Sequence, residues 1–203
     1  MKTSARPADD SHLKENPMAL IDPTRNWRLV AERLESETDP RRRAVLTVVL
    51  EHMQAEAEAD LDRLMATVSP DAAYHFWHGG GDFGPKGHDG VRQYYAGIVA
   101  GGANHIQYDV DRLIVDDHGL VTEGLLTMLV PGATAIAMGL AVGDPGADYL
   151  YSYRQLLVWP IDENGLVAGE DSYGGGTVEL RAVERDELPA AYLAQVHPDA
   201  VGA

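Results

Sequence analysis

The apolar residues of this chain change period part-way along it, and that change limits the possible folds more than any other feature. Up to about residue 100 they recur at helical spacing. Trp27, Val30, Ala31 and Leu34 fall on one face, and Leu46, Leu50, Met53, Ala57, Leu61, Leu64 and Val68 form a second stripe. From residue 106 to 173 they alternate instead, over 106–115, 120–130, 133–142, 149–161 and 166–173, with turns at 117–119, 131–132 and 162–165. Helices followed by a meander of antiparallel strands make an α+β fold, in which a curved sheet wraps the helices that precede it.

Local punctuation divides the chain further. A first helix ends near Ser36. Asp39 caps a second, with Pro40 at its first position where the missing N–H costs nothing, and the stripe carries that helix to about Val68. Ser69, Pro70 and Asp71 stop it, residues 72–77 read as a strand, and Gly79 to Gly87 form a glycine-rich loop able to admit a ligand. A third helix opens at Asp89 and Gly90, buries Val91, Tyr94, Tyr95 and Ile98, and ends at Gly101 and Gly102. The expected organisation is an N-terminal arm over residues 1–23, one α+β domain over 24–176, and a C-terminal extension over 177–203 with a short terminal helix.

Composition removes whole classes of function. The chain has no cysteine, which excludes disulfides, thiolate metal sites and cysteine nucleophiles. Its formal charge of -16 repels phosphate backbones and anionic lipid, so neither nucleic acid nor a membrane is an expected partner. No apolar stretch approaches the roughly 20 residues that span a bilayer, and the first residues lack the apolar block of a secretory signal. A cytoplasmic protein is expected.

Several residues could carry chemistry on their own spacing. His52 and Glu56 lie four apart beside the apolar stripe of the long helix, so they project together and could act as a base and its orienting carboxylate. Glu56 also belongs to a charge run with Glu51, Glu58, Asp60 and Asp62, of the kind that is usually solvated. His75, His78 and His88 lie close in sequence, but 75 and 78 point to opposite faces of a strand and no carboxylate has a metal-ligand spacing. Neither a metal nor a cofactor is expected. The glycine loop contains Lys86 but lacks the Gly-Lys-Ser/Thr order of a phosphate cradle.

Four local patterns, in this order along residues 40–175, resemble the SnoaL-like polyketide cyclase group of the nuclear transport factor 2-like superfamily. They are Asp60 to Ala72 at the end of the long helix, Gly87-His88-Asp89-Gly90-Val91-Arg92-Gln93-Tyr94-Tyr95 at the start of the next, Asn104-His105-Ile106 before a strand, and Asn164-Gly165-Leu166-Val167 at the last hairpin. The resemblance implies a cone-shaped, cystatin-like roll with an internal pocket, and a homodimer formed through the sheet. It places His105 at the pocket mouth as a proton-transfer residue and Asp171, with Glu170 beside it, on the last strand as an acid. Dehydrochlorinase-like members pair their histidine with an aspartate whose position falls at Ala57 here, so Glu56 is the substitute. Only one of Glu170 and Asp171 can face inward, since side chains alternate along a strand. Tyr74, Trp77, Tyr95, Tyr108 and Tyr151 are candidates to line the pocket, the tyrosines as phenol donors.

Together these features point to a cofactor-independent acid-base enzyme, a lyase, isomerase or cyclase, acting on a small hydrophobic substrate of polycyclic or terpenoid-like character. The alternatives are a non-catalytic protein that binds a hydrophobic small molecule, and a structural dimer whose pocket is packed shut.

Overall fold

A computed structural model describes residues 19–78 and 80–200. Most of the expected arm, and the side chain of His78, lie outside the described residues. After a 3-10 turn at Pro23–Asn26 come α1 (Arg28–Ser36), α2 (Pro40–Ala57) and α3 (Leu61–Met65). Then follow β1 (His75–His78), β2 (Gly81–Asp82), α4 (Gly87–Ala100), β3 (His105–Val115) and β4 (Gly119–Pro131). The chain continues through α5 (Gly132–Ala137), β5 (Asp148–Pro160), β6 (Asp171–Val183) and α6 (Ala190–Val196). The architecture is the expected α+β.

The six strands form one sheet in the order β2-β1-β6-β5-β4-β3. β3 to β6 make the expected antiparallel meander, whereas β1 joins β6 in parallel, His75 facing Asp171. Register shifts between Val110 and Arg112 on β3, and around Tyr153 on β5, add local twist and bend that curve the sheet. Its concave face meets α2 and α4. There Val45, Leu46, Val49 and Met53 of α2 share a core with Val91 and Tyr95 of α4 and with Tyr108, Leu120, Leu157 and Trp159 of the sheet.

Three expectations are corrected. The long helix does not run to Val68 but stops at Ala57. The Asp60 N–H closes back on the Ala55 carbonyl at 2.9 Å, and Ala59 between them takes a φ of 54°, the left-handed conformation that favours glycine. Asp60 then caps α3 through the Arg63 N–H at 3.1 Å. Residues 133–142 alternate, yet 132–137 form α5. The Gly132 N–H donates to the Ala147 carbonyl at 2.7 Å, turning the chain out of the sheet, and the small residues that follow coil with only Gly132 and Ala135 buried.

The third correction concerns the tail. β6 continues to Val183, pairing with the start of β5, so the strand crosses the expected boundary at residue 176. Beyond it, the tail docks through the buried Leu188, just before α6, and through Tyr192 of α6, whose hydroxyl donates to Asp148 Oδ1 at 2.5 Å.

Relief of the left-handed alanine should be measurable. Ala59→Gly is expected to raise unfolding stability by about 0.5–1 kcal/mol in urea denaturation, because glycine adopts this conformation without the Cβ penalty. An unchanged or lowered midpoint would contradict the strained closure.

Candidate functional site

Between α2, α4 and the concave sheet lies a cavity of about 650 Å³. Its wall is mainly apolar and aromatic, including Met53, Phe76, Ile98, Leu126, Met128 and Trp159. Two carboxyl groups break that wall. Glu56 projects from the last turn of α2, and Glu170 from the segment entering β6, where its carbonyl accepts from the His75 N–H at 3.1 Å.

Each element turns its acid inward for a local reason. On α2, Met53 and Glu56 are three residues apart and share the face turned to the sheet. On the last strand, pairing sets parity: Ser172 faces Leu157, both line the cavity, and Glu170 two residues back points the same way. Asp171 and Tyr173 therefore point away, and Tyr173 is exposed.

The cavity changes the chemistry of these acids. Burial raises Glu56 well above the ordinary glutamate value, and no neighbouring cation or donor offsets it. Glu170 is raised by burial first and by the negative charge of Glu56 second. Two like carboxyls in one low-dielectric site titrate as a pair, and the first proton to bind relieves the repulsion of both. The phenols of Tyr94 and Tyr153, also in the wall, are raised by burial and stay protonated, so they remain donors.

The structure brings together only part of the set expected from sequence. Glu56 and Tyr108 line the cavity, the Tyr108 hydroxyl donating to the Gln155 carbonyl at 3.1 Å. His52 lies beside Glu56 on α2 but is fully buried, between Tyr95 and Trp159, and burial pushes it down to about 3, so it is a neutral imidazole. Tyr95 is likewise buried and touches Glu170 from behind. Tyr74 is core. Trp77 and Tyr151 line a shallower groove of about 270 Å³ that shares Phe76, Met138 and Tyr153 with the main cavity.

His105 and Asp171 do not line the cavity. His105 is half-buried beneath α6, with Nε2 2.9 Å from Gln195 Oε1 and its ring edge-on to Tyr192. Asp171, turned outward by the parity of β6, is raised by burial and lowered by His75 and Lys86. Of the three histidines weighed for metal, His75 contacts Asp82 at 2.8 Å and His88 the Met65 carbonyl at 3.3 Å. No group of three or more His, Asp or Glu side chains converges as a metal site among the described residues. Among those residues, too, no helix is long and apolar enough to cross a membrane.

The sequence offers Glu170 only as the neighbour of the favoured Asp171, and Tyr94 and Tyr153 are not among its pocket candidates. Tyr94 falls on the buried face of its helix, but nothing local distinguishes wall from core. Tyr153 alternates with Gln155, Leu157 and Trp159, all in the wall, so periodicity would have found it had the inward face of β5 been known.

The model of the SnoaL-like domain matches residues 49–167, more than half of the chain. The chain belongs to the SnoaL-like family. Its fold is also that of three solved structures, each a SnoaL-like polyketide cyclase candidate. The protein from Shewanella putrefaciens CN-32 is 14% identical, over 71% of this chain and 86% of its own, at a TM-score of 0.54. That from Shewanella denitrificans OS-217 is 14% identical, over 68% and 92%, at 0.53. That from Jannaschia sp. CCS1 is 15% identical, over 68% and 90%, at 0.52. At such identities the likeness is one of fold. No curated protein matches the chain significantly in sequence. The SnoaL-like match ends at residue 167, so it includes Glu56 and stops just short of Glu170.

The raised carboxyls have a stability signature. A carboxyl whose folded value lies above its unfolded value of about 4.3 stabilises the fold fully below that pH and loses the contribution as pH rises through the folded value. Glu56→Gln and Glu170→Gln should therefore be more stable than the parent at pH 8, by about 1–3 kcal/mol each in urea denaturation, with the gain vanishing near pH 4. Destabilisation at pH 8 by both substitutions would mean that the carboxylates are stabilised by the site.

Proposed function

We propose that this SnoaL-like protein is a cofactor-independent acid-base enzyme, of lyase, isomerase or cyclase type, acting on a small hydrophobic substrate held in the cavity. The observation that carries the reading is the presence of two carboxyls in one apolar cavity, both raised toward neutral pH and neither offset by a cation. Carboxyls so tuned transfer protons near pH 7, where ordinary ones are permanently ionised.

The two acids differ in a way that divides the work. Glu56 faces the cavity from the helix, raised first by burial and sharing its titration with Glu170, and it is the group placed to take a proton from carbon. Glu170 is raised by burial and further by the charge of Glu56, so it holds its proton longer and is the acid that protonates or hydrogen-bonds the substrate oxygen. The Tyr94 and Tyr153 phenols would share the charge that develops on that oxygen. A cavity of about 650 Å³ with a mostly apolar wall suits a compact terpenoid-like or polycyclic carbonyl or hydroxyl compound. Description of similarly folded proteins as polyketide cyclase candidates is compatible with that class.

Proton abstraction can be tested without knowing the natural product. The protein is incubated in D2O with a panel of apolar cyclic ketones and enones, and deuterium incorporation next to the carbonyl is followed by NMR. Catalysed exchange is expected for at least one member, falling about 10²–10⁴-fold in Glu56→Gln and retained in His105→Ala. Its rate against pH should be bell-shaped about neutrality, the acid limb reporting protonation of Glu56 and the alkaline limb ionisation of Glu170. Ketone binding with no exchange would favour a non-catalytic binding protein, and exchange that survives Glu56→Gln would remove Glu56 as the base.

A further inference from the structure

Behind Glu170 a line of side chains leaves the cavity and enters the core. Glu170 Oε2 lies 3.2 Å from the Tyr95 hydroxyl, which lies 2.9 Å from His52 Nε2. His52 Nδ1 lies 2.7 Å from Thr67 Oγ1, which in turn is 2.6 Å from the Leu64 carbonyl oxygen. His52, Thr67 and Tyr95 are all buried, so a missing hydrogen in this line has a full desolvation cost.

Counting hydrogens from the far end gives the line a direction. The Leu64 carbonyl can only accept, and two oxygens 2.6 Å apart need a hydrogen between them, so the single hydroxyl hydrogen of Thr67 goes to Leu64. Thr67 Oγ1 must then accept from His52 Nδ1–H. A neutral imidazole protonated on Nδ1 carries a lone pair on Nε2, and Tyr95 has to supply the hydrogen there. That uses the only hydrogen of the Tyr95 hydroxyl. The remaining contact, between Tyr95 and Glu170, is a hydrogen bond only if the Glu170 carboxyl is the donor.

The opposite direction is poorer. With Glu170 ionised and accepting from Tyr95, Tyr95 would accept from His52 Nε2–H and Thr67 would donate to Nδ1, leaving the Thr67 and Leu64 oxygens face to face with no hydrogen between them. One bond is lost and a close repulsive pair is made. The titratable groups around Glu170 do not reverse this preference. Glu56, Asp171 and the Tyr74 and Tyr94 phenols are all acids, and the nearby Lys86 ammonium and His75 ring act on Asp171.

We infer that Thr67, His52 and Tyr95 form a one-way hydrogen-bond relay, anchored on the Leu64 carbonyl, that holds a proton on Glu170 and makes it, rather than Glu56, the acid of the site. The three are positioning residues. The inference deepens the acid-base reading of this cavity, yet it concerns where one proton sits and can be tested without turnover.

The test reads two spectroscopic signals on the full chain. In the parent at pH 7, nitrogen-15 NMR should find His52 protonated on Nδ1, and infrared difference spectra should show a protonated carboxyl band that disappears in Glu170→Gln. Thr67→Val removes the acceptor for Nδ1–H and frees His52 to protonate Nε2. Tyr95 can then donate to Glu170, and the carboxyl band should titrate away at a proton concentration at least about tenfold higher than in the parent. Thr67→Ser should restore the parent midpoint. His52 protonated on Nε2 in the parent would overturn the relay, as would a Thr67→Val midpoint equal to that of the parent. Should Thr67→Val fail to fold, the parent tautomer alone decides. A relay with the expected tautomer but no exchange on any ketone would sink only the enzyme reading, whereas exchange with the opposite tautomer would sink only the relay.

Discussion

The structure turns on the burial of one face of α2 in the concave side of the sheet. That face carries Val45, Leu46, Val49 and Met53, whose removal from water at about 25 cal/mol per Å2 supplies much of the drive to fold. It also carries His52 and, one turn later, Glu56. Packing the helix therefore drags two titratable side chains out of bulk water, and each finds a different remedy. His52, sealed against Trp159 and Tyr95, gives up its charge and uses both ring nitrogens in hydrogen bonds. Glu56 opens into the cavity and keeps its proton to a higher pH than an ordinary glutamate.

The charge of the whole chain sharpens this. A protein with a formal charge of -16 has few cations to spare, and several of its arginines are engaged at the surface: Arg63 with Glu51 and Glu58, Arg154 with Asp111 and Glu123, Arg25 with Asp109. None of these guanidinium groups acts on Glu56 or Glu170. An arginine beside either acid would hold it ionised and end its usefulness as a neutral-pH proton carrier. In the proposed reading the cavity serves as an acid site because no cation lines it among the described residues, a form of tuning that does not require a special donor for each carboxyl.

How much of this was legible in the sequence depends on whether a feature is local. The switch of period from helix to strand, the Asp39-Pro40 start of α2 and the inward face of α4 rest on neighbouring residues, and the fold follows from them. Glu56 was reachable too, by its spacing from His52. The choice between Glu170 and Asp171 was reduced to one of two by alternation, but which one faces inward depends on the pairing of Ser172 with Leu157, a register set across strands. His105 begins β3 as expected, yet its cover is α6, more than eighty residues later, which packs Tyr192 and Gln195 on the half-buried ring. No local pattern shows that a tail will fold back over a strand end.

The break in the long helix ties these threads together. His52 and Thr67 are 15 residues apart, and on one continuous helix they would stand about 22 Å apart along its axis. The reversal at residues 58–60 folds α3 back against α2 and brings Thr67 Oγ1 to 2.7 Å from His52 Nδ1. Residues 61–65 are short for a helix and contribute little propensity of their own. What the reversal supplies is the Leu64 carbonyl and the Thr67 hydroxyl, the two groups that give His52 its tautomer. An alanine at the left-handed position, where glycine would fit better, thus sits at the bend on which the protonation of the cavity depends. The apolar stripe continues through that bend and hides it from any reading of periodicity, so the feature most hidden in the sequence is the one that sets the direction of the proton line.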